Sequence, residues 1–116
     1  MNLEVVACSH ILQKHLGSRN PNDSYRNKKI TRTEQEALEN IKAIREKVMS
    51  EGIESFGKYA KEYSECSSAR DSGNLGNFER GQMQKPFEDA AFSLKIGEVS
   101  EIIKTDSGLH IILRTK

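Results

Sequence analysis

Residues 8–20 read CSHILQKHLGSRN and bring two imidazoles, His10 and His15, close to two cations, Lys14 and Arg19. Further reactive groups lie far off in sequence: Cys66, followed by Ser67 and Ser68, and His110 near the end. Imidazoles and thiols can hold or move protons near neutral pH, and thiols and hydroxyls can act as nucleophiles. Lysine and arginine flanking a glycine form a local cluster suited to an anion such as phosphate. Each residue also has a plain structural reading. A strand histidine is more often a satisfied core residue, a free cysteine is commonly a small buried hydrophobe, and loop cations are commonly solvated. Residue types and spacing alone leave both readings open.

The bulk properties narrow the field. A chain of 116 residues suits one domain with a modest core, spanning 1–116. Charged residues make up 30% but nearly cancel to +1, so no global field recruits nucleic acid or a membrane surface, and recognition by charge must be local. Aromatic residues do not interleave with the cations, which also argues against nucleic acid. No apolar run approaches the ~18 residues of a membrane span, and the opening MNLEVVAC lacks the regions of a signal peptide, so a soluble intracellular protein is expected. In that setting Cys8 and Cys66 are expected to be reduced thiols, and Cys and His are too few and scattered for a structural metal site.

The elements that must position these side chains can be read along the chain. LEVVACSHIL is short, apolar and β-branched, which predicts a first strand with Cys8 and His10 on one face. Residues 17–30, GSRNPNDSYRNKKI, have loop composition, and a loop of that length is usually functional or mobile. Thr33 and Glu36 form a capping box for a helix with Leu38, Ile41, Ile44 and Val48 on one face, ending at Gly52. Phe56, Tyr59, Ala60 and Tyr63 mark a second helix. Residues 64–81 return to Ser, Asn and Gly, with room for a short strand over 75–78. Pro86 opens a third helix, with Phe87, Ala90, Ala91 and Leu94 on one face and Gly97 beyond. The end, VSEIIKTDSGLHIILRTK, reads as a hairpin turning at Thr105-Asp106-Ser107-Gly108. The order predicts an α+β domain with one antiparallel sheet.

From residue 5 to residue 114 the stretches CSHIL, KITRTEQEAL, SECSSARDSGNLGNFERGQMQKPFEDAAFSL and TDSGLHIILRT resemble the catalytic domain of the parvulins, which are peptidyl-prolyl cis/trans isomerases. The similarity is closest to the branch directed to phosphoSer-Pro and phosphoThr-Pro bonds. The WW module that this branch often carries is not seen ahead of the first strand. The resemblance implies a four-stranded antiparallel sheet with three to four helices, no cofactor and no metal. It also implies a monomer of the cytoplasm or nucleus acting on phosphorylated Ser/Thr-Pro proteins. Carried over by position, the paired strand histidines are His10 and His110 and the active-site thiol is Cys66. The seat for the proline ring is Leu75, Met83 and Phe87, with Gln82 and Ser107 lining the same pocket. The phosphate cluster starts at Lys14 and Arg19. There the pattern departs, because Asn20 stands where a second arginine is expected; Arg26, Lys28 and Lys29 are candidates to supply the missing charge. Cys8 is expected to fill the sheet, and His15 is expected to be solvated.

Rotation about an X-Pro amide breaks no covalent bond, but its barrier is ~18–20 kcal/mol because of the partial double bond. An apolar seat that excludes water and a remote phosphate clamp would hold the two sides of the rotating bond, and Cys66 would form a polar or partly anionic wall rather than a nucleophile. Two alternatives stand beside phosphate-directed isomerisation. One is a parvulin with relaxed preference, accepting Glu-Pro or any X-Pro; the other is a phosphopeptide-binding module without turnover.

Overall fold

The computed structural model describes residues 4–116, so Leu3, placed by the sequence in the first strand, lies outside the described residues. In chain order the elements are β1 (Val5–Gln13), β2 (Asn22–Asp23), β3 (Lys28–Lys29), α1 (Glu34–Glu51), α2 (Phe56–Tyr63), β4 (Asn74–Glu79), α3 (Lys85–Ser93), β5 (Ile103–Thr105) and β6 (Gly108–Arg114). Short 3-10 turns precede α2 and follow it, at Ile53–Ser55 and Ser67–Asp71. Four strands form one antiparallel sheet in the order β4-β1-β6-β5.

β1 is buried from Val6 to its end because helices cover both faces of the sheet. Ile11, Leu109 and Ile111 face a core filled by Ile41, Ile44 and Val48 of α1 and Phe56 of α2. Val6, Cys8 and Ile112 face the opposite way, against Phe78, Phe87 and Ala91. Strand alternation therefore sends His10 and His110 to the second face, where they are diagonal neighbours, His10 opposite Ile112 and His110 opposite Leu12.

Each helix begins where local chemistry dictates. Thr33 Oγ1 accepts from Glu36 N–H at 3.2 Å, and the Glu36 carboxylate accepts from Thr33 N–H at 2.8 Å. Gly52 at φ +102° closes the helix, its N–H bonded to Val48 O. Ala37 is fully buried, whereas Leu38 is only half-buried. Pro86 sits in the first turn of α3, where its missing N–H leaves no bond unmade.

Residues 17–30 are not featureless. They fold into the two-residue ladder β2–β3, with Asp23 accepting from the N–H groups of Tyr25 and Arg26 at 2.9 Å. Side-chain to backbone bonds of this kind leave no hydrophobic period in the sequence. Gly73 lets the chain before β4 pack against β1 and α2: it lies at φ +83°, and a Cβ there would sit 2.5 Å from the His10 carbonyl oxygen and 2.9 Å from Ala60 Cβ.

Candidate active site

His10 and His110 are both 4% exposed, with Nδ1 atoms 3.0 Å apart and rings stacked at a centroid distance of 5.2 Å. Thr105 Oγ1 lies 2.6 Å from His110 Nε2 and accepts from Ser107 N–H at 3.1 Å. Burial, together with the charge of the neighbouring His10, holds His110 well below the usual imidazole range, so it is neutral near pH 7. A neutral ring donates once. His10 and His110 share a hydrogen bond between their Nδ1 atoms, which leaves Nε2 as the far nitrogen of the His10 ring. That atom has no hydrogen-bond partner meeting ordinary geometry among the described residues, and it is on the side of the ring nearest Cys66.

Cys66 caps the 3-10 turn Ser67–Asp71, its Sγ accepting from Ser68 N–H at 3.5 Å. Burial pushes the thiol up, but His10 and Ser68 pull it down further, to about 6, so the thiolate predominates at neutral pH. Cys8 shows the opposite outcome. Fully buried in the apolar sheet face, with Arg114 only partly offsetting that burial, it is pushed up to about 11 and fills space.

Phe87 stands edge-on to both imidazoles, at centroid distances of 5.6 Å from His10 and 5.3 Å from His110. Leu75 and Met83 are half-buried against the same cluster, so the three residues expected to seat a proline ring lie together. Gln82 does not join them. Its side chain is exposed and turns back to accept from Glu79 N–H at 2.7 Å, closing the turn before α3. Gln84 occupies the inward position instead, donating to Ser107 Oγ at 2.9 Å and accepting from Asp106 N–H at 3.0 Å. Two glutamines flank Met83, and nothing in QMQ says which one faces the hairpin.

Next to the thiol is a pocket of about 190 Å³, lined on one side by Lys14, Arg19 and Asn20 and on the other by Cys66, Ser67 and Ser107. Arg19 and Asn20 are exposed, and the Arg19 N–H is anchored to Asp106 O at 2.8 Å. Lys14 is 5% exposed, and its ammonium donates to Asn22 O and to Ser24 Oγ. Burial lowers its pKa, partly offset by Cys66, Glu65 and Asp23. The Lys14 backbone is clamped as well. Its N–H donates to Glu65 Oε1 at 2.8 Å, its carbonyl accepts from Arg32 at 2.8 Å, and Arg32 holds Glu65 through two bonds of 2.6 and 3.0 Å.

The cations expected to compensate for Asn20 are elsewhere. Arg26 is tied to Asp23 and to the carbonyls of Lys61, Glu62 and Ser64, and Lys28 and Lys29 line a separate cavity beside α1. His15 is also not solvated: it is 4% exposed, its Nδ1 accepts from Gly17 N–H at 3.0 Å, and its Nε2 lies 3.9 Å from Glu34.

The family model for the rotamase, or PPIC-type PPIASE, domain matches residues 10–116. This chain is a parvulin-type peptidyl-prolyl cis/trans isomerase. It is 50% identical over 113 residues to peptidyl-prolyl cis-trans isomerase pin1 of Rhizopus delemar, covering 97% of this chain and 74% of that one. It is 49% identical over 114 residues to the Pin1 isomerase of Arabidopsis thaliana, covering 95% of this chain and 94% of the relative. The structure of the isomerase ESS1 from Candida albicans superposes with a TM-score of 0.90 at 43% identity, covering 97% of this chain but only 63% of that chain. The four-stranded sheet and its three α-helices are thus the parvulin fold.

In this parvulin the site needs no bond-breaking machinery. The apolar cluster of Leu75, Met83 and Phe87 offers a surface that excludes water, and a thiolate disfavours negative charge on a carbonyl oxygen brought near it. Planar amide resonance places charge on that oxygen, so both features favour the twisted amide. Thr105, Gln84, Glu65 and Arg32 form the support for these groups, and the sequence reading missed all four. Glu65 beside Cys66 and Gln84 beside Met83 offered only positional notice.

Proposed function

We propose that this parvulin isomerises phosphoSer-Pro and phosphoThr-Pro bonds in protein clients by non-covalent stabilisation of the twisted amide. The observation that carries the reading is the single pocket into which Lys14, Arg19 and Asn20 converge with Cys66, Ser67 and Ser107, next to the apolar seat of Leu75, Met83 and Phe87. Phosphate held at the cationic end fixes the residue before the proline, and the seat fixes the ring, so binding energy away from the amide orients the rotating bond. His10 and His110 act as a buried hydrogen-bonded base for the seat, and Ser107, held by Gln84, lines its rim. Cys66 acts through its charge, not as a nucleophile. Cys66→Ser with the fold intact should therefore keep measurable turnover, and turnover at the uncatalysed rate would contradict a non-covalent role.

A second reading has its own observation. The Lys14 ammonium is already engaged by Asn22 and Ser24, and Asn20 offers no charge, so Arg19 is the one exposed cation lining this pocket among the described residues. This favours a graded preference in which Glu-Pro is also accepted. Turnover on matched phosphoSer-Pro, Glu-Pro and Ala-Pro peptides separates the two. Phosphate-directed action predicts a kcat/KM for phosphoSer-Pro well above those for Glu-Pro and Ala-Pro alike, and a Glu-Pro value close to that of phosphoSer-Pro would overturn it in favour of the graded preference.

A further inference from the structure

A second cavity, of about 530 Å³, opens on the far side of the Arg32–Glu65 clamp, between β3, the outer face of α1 and the end of α2. The isomerisation chemistry uses nothing in it. Its charges do not balance. Among the lining carboxylates, Asp23 is closed by Arg26 at 3.0 Å and Glu65 by Arg32 at 2.6 Å. Lys28, Lys29 and Lys47 then remain against Glu62 alone, and none of these three lysines has an ion pair among the described residues. All three are exposed, and Lys47 is held over the Tyr63 ring at 5.0 Å with its ammonium 3.1 Å from the Tyr63 hydroxyl. In a chain whose net charge is +1, this is a local excess of two positive charges.

The walls are apolar where the rim is cationic: Ile30, Ile44 and Ala43 line the cavity with the Tyr63 ring. Arg26, whose guanidinium also spans to Lys61, Glu62 and Ser64, and the Arg32–Glu65 pair fix the surrounding backbone. Such a cavity is formed before any ligand arrives and lies within the size range of ordinary ligand sites.

We propose that this cavity is a second binding site for an acidic peptide segment, with an apolar side chain seated against Ile30, Ile44 and Tyr63 and carboxylates at Lys28, Lys29 and Lys47. A client would thus be held by a segment distinct from the one being isomerised, raising its local concentration at the active site. Cation rim and apolar floor together select for an acidic peptide over a polyanion that carries charge alone.

The test is a two-dimensional amide NMR titration of the full chain with a proline-free probe, acetyl-Glu-Leu-Glu-Glu-Leu-amide, against its neutral counterpart with Gln for Glu. The expected result is saturable shifts at Lys28, Lys29, Ala43, Lys47 and Tyr63 with the acidic probe, and at least fivefold weaker binding of the neutral one. The triple variant Lys28→Gln, Lys29→Gln, Lys47→Gln should bind the acidic probe at least fivefold more weakly while keeping wild-type turnover on an Ala-Pro peptide. Shifts confined to Arg19, Ser67 and Ser107, equal binding of the two probes, or tighter binding of a single-stranded oligonucleotide of equal charge would overturn the proposal. The probe comparison on the wild-type chain stands even if the triple variant fails to fold.

Discussion

The two ends of the candidate groove are built by different physics. The proline end is an extension of the hydrophobic core: Phe87 is 4% exposed and packs with Val6, Cys8, Phe78 and Ile112 while its ring edge meets both histidines. The cationic end, proposed to hold phosphate, contains almost no core. It is a loop held by hydrogen bonds that Lys14 and Arg32 donate and that Asp23 and Glu65 accept, with Arg19 and Asn20 left exposed. A cluster made of core cannot change without affecting stability, whereas under the proposed function the loop can change one side chain and alter selectivity alone. Asn20 is such a position.

The contrast can be broken or sharpened in order of expected effect. Phe87→Ala should lower stability by about 3–5 kcal/mol, as for other buried aromatic truncations, and abolish most turnover on phosphorylated and plain peptides alike. Denaturant unfolding and peptide kinetics on the same preparation check both. Glu65→Ala should lower stability by about 2–3 kcal/mol, because Arg32 and the Lys14 N–H lose a buried acceptor, and should reduce turnover on the phosphopeptide more than on Ala-Pro. Equal loss on both peptides would place the clamp at the proline end instead.

Acid should act on the buried histidine and thiol. His110 is depressed in the folded chain, so the unfolded chain takes up its proton first. Stability is complete above about pH 6.5 and falls below it by up to about 1.4 kcal/mol per pH unit. Cys66 acts in the same direction over a higher window, since its lowered pKa favours folding above the unfolded thiol value and that contribution is lost as pH falls through about 6. A melting temperature that stays flat from pH 7 to pH 5 would contradict both shifts. The smallest effect belongs to the loop. Asn20→Arg should raise preference for phosphopeptide by about tenfold, or ~1.4 kcal/mol, with no change on Ala-Pro, because Arg26, Lys28 and Lys29 are directed elsewhere and do not compensate.

What could be read in the sequence divides along the same line. Periodic burial and local caps carried the fold: the capping box of α1, the Phe56, Tyr59 and Ala60 stripe of α2, Pro86 opening α3, and the Thr105 to Gly108 turn all recur in the structure. The clustering of Leu75, Met83 and Phe87 and the pairing of the histidines were legible through resemblance, since residues 10 and 110 come together only by strand pairing across the chain. The polar framework was not legible. Lys14, Arg32 and Glu65 meet through contacts 18 to 51 residues apart that obey no period, so the burial of Lys14 left no trace in the sequence and a buried His15 was read as solvated. Gln82 and Gln84 differ only by which side of a turn each occupies, and that is decided by the hairpin packed against them.

The most direct test of the division between the two ends is Arg19→Ala assayed on a matched pair of peptides, phosphoSer-Pro and Ala-Pro. A cation that serves only the phosphate end predicts a fall of about tenfold or more in kcat/KM for the phosphopeptide and an unchanged value for Ala-Pro. Equal losses on the two peptides, or no loss on the phosphopeptide, would contradict it.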